Sequence, residues 1–128
     1  MQSFLLQDWV TVGTDGGAAG VVQASGGWVD LGFASEVVFF LELARRTTLS
    51  PQNMIYETAP LRDASTFRAL GTPLSITSAG ATPTVSRFAL YDNPAQPVSR
   101  WVRWRTVSQD TGVSWNITFR ITMMAYAR

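Results

Sequence analysis

The chain has 128 residues, of which 46% are hydrophobic, 12% aromatic and 15% charged, and its formal net charge is +1. This length and composition predict one folded domain over residues 1–128 and exclude an intrinsically disordered chain. The longest apolar run, residues 37–41, has the length of a strand, so we expect no membrane helix and no membrane partner. The first residues lack the basic and then apolar pattern of a secretory signal.

Three residue types are absent, and their absence narrows the chemistry. The chain has no cysteine and no histidine, and all ten of its basic side chains are arginines. Disulfides, cysteine-based metal sites, Ser-His-Asp and Cys-His catalysis and Schiff-base lysines are therefore excluded within the chain. We expect a protein that is not an enzyme and that needs no cofactor and no metal ion.

Alternating apolar and polar residues run through most of the chain, interrupted by segments rich in glycine, proline, serine and aspartate. The predicted strands are residues 4–12, 20–24, 28–33, 35–45, 53–58, 73–77, 85–91, 99–107 and 113–127. The one helix-like window, residues 61–70, has Asp63 as a candidate N-cap and is expected to form no more than one turn. Residues 1–6 either begin the chain's own sheet or pair with a neighbouring subunit.

Two of these strands have the clearest patterns. In residues 35–45 the apolar side chains of the odd positions face one way, and the other face is apolar at its centre and acidic at its ends, where Glu36 and Glu42 lie. We expect this strand to be central in its sheet and covered on both faces at mid-length. In residues 113–127 the odd positions are apolar and the even ones largely polar, which predicts one buried face. Its predicted buried residues are Val113, Trp115, Ile117, Phe119 and Ile121.

Eight or nine short strands without a convincing helix predict an all-β fold. We expect a single antiparallel β-sandwich, jelly-roll-like and of about eight strands, with a closed barrel as the alternative. Trp104, Trp115, Phe39, Phe88 and Phe119 are the expected aromatic core residues.

The most conspicuous motif is Arg100-Trp101-Val102-Arg103-Trp104-Arg105. On a strand, alternation sends Arg100, Val102 and Trp104 inward and Trp101, Arg103 and Arg105 outward. An exposed tryptophan between arginines is typical of protein interfaces and also suits base stacking. The simpler alternative is an arginine stem lying over a ring on a solvated sheet face. Because nucleic-acid binding needs a concentrated positive field, the net charge of +1 argues against that partner.

Carboxylates and aromatic residues give two further hypotheses. The acids nearest one another are Asp30, Glu36, Glu42, Glu57 and Asp63, and paired acids can hydrolyse glycosides when a cleft holds them together. Nothing in the sequence places two of them in a cleft, so solubility and pairing with arginine is the expected role. A calcium site built from Asp15, Asp30 or Asp92 is a weaker alternative, since the chain has no Asp-x-Asp spacing.

The unassigned aromatic residues leave a carbohydrate-binding module open as an alternative function. Sandwich modules of that class stack sugar rings on exposed, coplanar rings, and the core does not account for Trp9, Trp28, Tyr91 and Trp101. Rings that share one face would favour sugar, whereas aromatic and arginine side chains that meet another chain would favour assembly.

Three segments resemble parts of a known group of proteins: residues 54–60 (MIYETAP) followed by Arg62 and Asp63, residues 100–104 (RWVRW) and the alternating residues 115–121. Together they are similar to small β-sandwich proteins encoded among the virion genes of tailed bacteriophages, over about residues 36–128. The resemblance implies a non-enzymatic structural protein located in the virion, after assembly in the host cytoplasm, that decorates or otherwise associates with a capsid. Its implied partners are further copies of itself, as a homo-oligomer, and a capsid or other virion protein. Trp101, Arg103 and Arg105 are the candidate interface residues.

Overall fold

Strands account for most of the computed structural model, which describes residues 1–15, 20–32, 34–46, 51–76, 80–89, 98–110, 112 and 114–127. Short 3-10 helices occur at Ser25–Gly27 and Ala64–Thr66. The strands of these described residues are β1 (Gln2–Asp15), β2 (Val21–Val22), β3 (Val29–Asp30), β4 (Ala34–Arg46), β5 (Gln52–Ala59), β6 (Arg68–Ala69), β7 (Leu74–Ile76), β8 (Gly80–Ala89), β9 (Trp101–Ser108) and β10 (Ser114–Ala127).

The strands form two antiparallel sheets with jelly-roll connectivity. One sheet has the order β1-β10-β4-β8. The other has the order β2-β9-β5-β6, with β3 also paired to β9 and β7 to β5. A jelly roll has eight strand positions. Here the short strands β2 and β3 together occupy one of these positions, and β6 and β7 together occupy another. The predicted all-β sandwich is confirmed.

Alternation along β10 and β4 builds the core between the sheets. In β10 Trp115, Ile117, Phe119 and Ile121 are buried, as predicted, whereas Val113 lies outside the described residues. From the facing sheet, the Trp104 ring meets the Phe119 ring edge-on at 4.9 Å between centroids. The remaining predicted aromatic core residues also pack here: Phe39 is buried and stacks on Tyr56 at 4.0 Å, and Phe88 is half-buried against both rings.

The prediction for β4 is confirmed in part. The strand is central, between β10 and β8, and its odd-numbered side chains face the core. Its other face is not covered at mid-length, because the four-stranded sheet is an outer layer and Val38 and Phe40 remain partly exposed. That face carries the ion pairs Glu42–Arg120 and Glu36–Arg87.

The first strand belongs to the chain's own sheet. From Gln2 onward β1 pairs with β10, with two register shifts between Leu5 and Val10. At this irregularity the carbonyl of Leu6 accepts a hydrogen bond of 2.6 Å from Nε2 of Gln23. The backbone N–H of Trp104 donates to Oε1 of the same buried amide, at 3.3 Å. One side chain therefore links the two sheets.

The helix-like window contains a single 3-10 turn, as expected. Asp63 is its N-cap, and its Oδ1 accepts from the backbone N–H of Ser65 at 3.0 Å. This N–H and the Ser65 hydroxyl, which also donates to Asp63, lower the pKa of the Asp63 carboxyl. Among the described residues, no helix is long and apolar enough to cross a membrane.

Candidate functional site around Trp101

The predicted alternation of β9 is correct for its central residues. Val102, Trp104 and Thr106 are buried toward the four-stranded sheet, and Trp101, Arg103 and Arg105 lie on the outer face of the six-stranded sheet. Arg100 does not point inward as predicted, because it precedes the strand and is exposed, with its guanidinium paired to Asp30.

Arg103 is on the predicted face, but the expectation that it is exposed is wrong. Only 7% of Arg103 is accessible, and its Nε donates to Oε1 of Glu57 at 2.9 Å. The centre of its guanidinium lies 4.0 Å from the Phe67 ring centroid and 5.2 Å from that of Trp28. Trp28 and Phe67 are the C-cap residues of the two 3-10 helices, which fold back over the sheet. Arg103 is therefore a structural cation that a partner cannot reach.

Glu57 is the anion at the centre of this outer cluster. Its side chain is nearly buried, and its second oxygen, Oε2, accepts from Nε of Arg105 at 3.3 Å. The side chain of Arg105 remains 33% exposed, so Arg105 forms the accessible rim of the cluster. The register of β5 on β9 explains the contact, because Glu57 lies directly opposite Arg103.

Trp101 is half-buried. Strand alternation places Arg103 and Arg105 on the same face, but the guanidiniums beside the Trp101 ring belong to two other arginines. The guanidinium centres of Arg62 and Arg100 lie 5.5 Å and 5.7 Å from the ring centroid, within the range of cation–π attraction. Nη2 of Arg62 donates to the carbonyl of Ser25 at 3.0 Å. Arg100 forms a two-pronged contact with Asp30, with 3.1 Å from Nε to Oδ1 and 3.0 Å from Nη2 to Oδ2. That contact lowers the pKa of Asp30 and raises that of Arg100.

Sequence reasoning missed Arg62 and Gln23. Arg62 reaches Trp101 from the segment that follows β5, and no sequence pattern indicates that approach. Gln23 holds the segment that covers Arg103 in place: its side-chain Nε2 also donates to the carbonyl of Gly27, and its backbone carbonyl accepts from the Trp28 indole N–H at 3.0 Å. Gln23 lies in the predicted strand 20–24, and no local sequence signal distinguishes it from a solvent-facing glutamine; its burial is visible only in the structure.

The candidate carboxylates are held by arginines or by backbone and do not converge. Asp30, Glu36, Glu42 and Glu57 each bind an arginine, and Asp63 caps a turn. In the described part of the chain no three histidine, cysteine, aspartate or glutamate side chains form a group that could hold a metal ion. Of the calcium candidates, the side chain of Asp15 and all of residue 92 lie outside the described residues.

The unassigned aromatic residues are dispersed. Trp9 lies on the outer face of the four-stranded sheet, where the guanidinium of Arg120 is 4.9 Å from its ring centroid. Trp101 lies on the opposite side of the sandwich, and Trp28 packs edge-on against Phe67 at 4.7 Å. Residue 91 lies outside the described residues. The tryptophans at positions 9 and 101 therefore share no face.

Comparisons with known proteins give no family. No protein-family model matches the chain, and no curated protein matches it. Among solved structures, it is similar to a chain in a structure of infectious bursal disease virus, Gx strain, with a TM-score of 0.46 and 15% identity. The alignment covers 98% of this chain and 34% of that one, so this chain spans about a third of its length. A likeness of this strength carries no information about function.

Proposed function

We propose that this protein is a non-enzymatic structural component of a virion, capsid-associated or capsid-decorating as in tailed bacteriophages, which acts by protein–protein assembly. The observation that carries the proposal is the surface formed by Trp101, Arg62 and Arg100, here called the Trp101 surface. The resemblance of residues 36–128 to phage virion proteins supports the same conclusion. Jelly rolls occur in capsid proteins and in lectins, so the fold suits the proposal without deciding it.

The Trp101 surface has the composition and the rigidity of an interface anchor. Tryptophan and arginine dominate the residues whose truncation weakens protein complexes most. Among the described residues, Asp30 and the Ser25 carbonyl fix the two guanidiniums beside the ring, so little side-chain entropy is lost on binding. Each guanidinium has five N–H donors, and the bonds to Ser25 and Asp30 use only some of them. A partner with an apolar side chain beside carboxylates or carbonyls would fit this surface.

The buried Arg103–Glu57 pair lies beside the Trp101 surface, on the same outer face of the six-stranded sheet. Ala59 of β5 pairs with Trp101 of β9. This pair is separated from the pair of Glu57 and Arg103 by two residues along each strand. Arg105 adds a partly exposed cation at the far end of the same row. In this proposal Trp101 is the contact residue, Arg105 is at its rim and Arg103 holds the platform in place.

The test uses virus particles purified from the strain that encodes this chain. We expect mass spectrometry to find the chain in those particles at a fixed ratio to the main shell protein. Particles made without the chain should bind added wild-type protein, and Trp101→Ala should weaken that binding at least about 30-fold, the equivalent of about 2 kcal/mol at an interface hot spot.

The matched control is Trp9→Ala, which removes the same side chain from the opposite face. For the monomeric chain it should leave binding within a few-fold of the wild type. Equal losses in both variants would overturn the assignment of the Trp101 surface. A chain that is absent from the particles and binds oligosaccharides through Trp101 would replace virion assembly by the carbohydrate-binding alternative.

A further inference from the structure

A row of side chains that is apolar except for Thr122 crosses the outer face of the four-stranded sheet. Leu5 of β1 pairs with Thr122 of β10, Thr122 with Phe40 of β4, and Phe40 with Val85 of β8. Leu5 is 52% and Val85 56% exposed, and a depression of about 530 Å³ lies along the row between Leu5 and Phe40. Large exposed apolar areas on a folded protein mark places where another surface binds.

Along the strands, this row is flanked on each side by charges that are neutralised within the chain. On one side Arg120 is directly opposite Glu42, with Nη2 2.8 Å and 2.9 Å from the two carboxylate oxygens. On the other side Arg87 pairs with Glu36. Both acids are on β4, and their cations are on the two strands that flank it. These two pairs leave the middle of the face neutral, and the further cation Arg45, exposed opposite Thr118, lies nearer the end of β4.

We propose that the occupant of this face is a second copy of the same chain, in a two-fold dimer whose axis runs parallel to the strands, between β10 and β4. The proposal deepens the self-assembly part of the proposed function. Rotation about that axis places β10 of one copy over β4 of the other, and β1 of one copy over β8 of the other. Arg120 of each copy then lies over Glu42 of the other, and Leu5 of each copy over Val85 of the other.

Electrostatics selects this axis over the alternative. A two-fold axis across the strands would lay β4 on β4 in opposite directions. With that axis at Phe39, Glu42 of one copy would lie over Glu36 of the other, and like charges that face each other oppose association. With the axis at Phe40, Glu42 would lie over Val38 and no acid would meet a cation. The axis parallel to the strands instead brings each acid opposite a cation or an uncharged side chain. The interface is self-complementary, as a two-fold contact requires.

The size of the face suits a dimer of moderate affinity. Four strands span about 19 Å, and the seven residues from Glu36 to Glu42 span about 20 Å. If the contact extends along the 13 residues of β4, the projected area roughly doubles. The two copies together would then bury about 800–1,600 Å², a range that includes the usual minimum of about 1,000 Å² for a specific interface. Because area alone does not set affinity, the experiment covers concentrations from micromolar to submillimolar.

The experiment is sedimentation velocity of the purified full chain from about 1 to 500 μM. The wild type should convert from monomer to dimer with rising concentration. Leu5→Glu and Val85→Lys, both at sites more than half exposed, should keep the monomer fold and each raise the dissociation constant at least about tenfold. The double variant Leu5→Glu/Val85→Lys should dimerise again at low salt, because the proposed axis brings the two new charges together across the interface.

The matched control is Leu61→Glu, the same change at a leucine that is 60% exposed on the other side of the sandwich. It should dimerise like the wild type. A wild type that stays monomeric at 500 μM, a double variant without recovery, or equal weakening by Leu61→Glu would overturn the proposal. The outcome is separable from that of the proposed function. Trp101→Ala should dimerise normally, and a monomeric chain that still binds particles through Trp101 would refute the dimer alone.

Discussion

Replacing Glu57 with glutamine should destabilise the fold more than its place on an outer sheet face suggests. The substitution keeps the side-chain volume and removes the negative charge that both Arg103 and Arg105 contact. Only 6% of Glu57 and 7% of Arg103 is accessible, so water cannot replace the lost carboxylate. The Phe67 and Trp28 rings hold the guanidinium of Arg103 in place and hinder its escape to solvent.

The magnitude follows from the burial of the pair. Removal of one member of a buried ion pair costs about 3–5 kcal/mol, because the remaining charge is left without a counter-charge. Glutamine keeps one oxygen that can accept from Nε of Arg103, so we expect the lower end, about 3 kcal/mol. Arg105 is more exposed and more distant, and its loss should cost no more than about 1 kcal/mol. Domains have only about 5–15 kcal/mol of stability, so Glu57→Gln removes a large share.

Urea unfolding followed by tryptophan fluorescence measures the effect. With a slope of about 1–3 kcal/mol per molar, the midpoint of Glu57→Gln should fall by about 1–3 M with the slope unchanged. Arg105→Gln should move it far less, and the double variant Glu57→Leu/Arg103→Met should recover most of the loss because it removes both buried charges. A Glu57→Gln midpoint equal to that of the wild type would show that Arg103 reaches solvent, and the reasoning would fail.

Three other measurements test the rest of the structure. Phe119→Ala should cost about 3–5 kcal/mol of unfolding free energy and Thr118→Ala about 1 kcal/mol or less; reversed costs would mean a register error of one residue. Burial raises the pKa of Tyr56, whose hydroxyl has no partner among the described residues, so Tyr56→Phe should not lower the urea midpoint. Arginine contacts lower the pKa values of Asp30 and Glu36 in the fold, so their stabilisation should be complete above about pH 5 and lost as pH falls through those lowered values. In the double variant Asp30→Asn/Glu36→Gln, the urea midpoint should fall less steeply with decreasing pH than it does in the wild type. An equally steep fall would contradict the assignment.

Most of the fold could be predicted from the sequence, because burial of one sheet face imposes a period of two. That period located β4 and β10 to within a residue or two. The limits of β8 were harder to predict from the sequence. It begins at Gly80, whereas the turn-forming residues before position 85 predicted a later start. As β8 is an edge strand, Pro83 can occupy it without breaking a hydrogen bond between strands.

The candidate site was predicted in part. Alternation placed Trp101, Arg103 and Arg105 on the correct face, but it could not show that Arg103 is buried. An outward row of polar residues has the same pattern whether solvent or another segment covers it. Here the cover comes from Trp28 and Phe67, which are 75 and 36 residues away in sequence. Contacts of that range depend on the pairing of β5 with β9, which no local pattern specifies.

The two outer faces of the sandwich differ in a way that links the two proposals. Short segments close the six-stranded sheet over Arg103 and leave Trp101 at the surface, whereas the outer face of the four-stranded sheet is apolar at its centre. A dimer through the four-stranded sheets would stack four sheets and place one Trp101 surface at each end, about 30 Å apart at the usual spacing of about 10 Å between sheets. Such a dimer presents two identical anchors, and binding of one raises the effective concentration of the other. Neither surface then has to bind tightly by itself, which agrees with the half-buried ring of Trp101 and with the modest area of the apolar face.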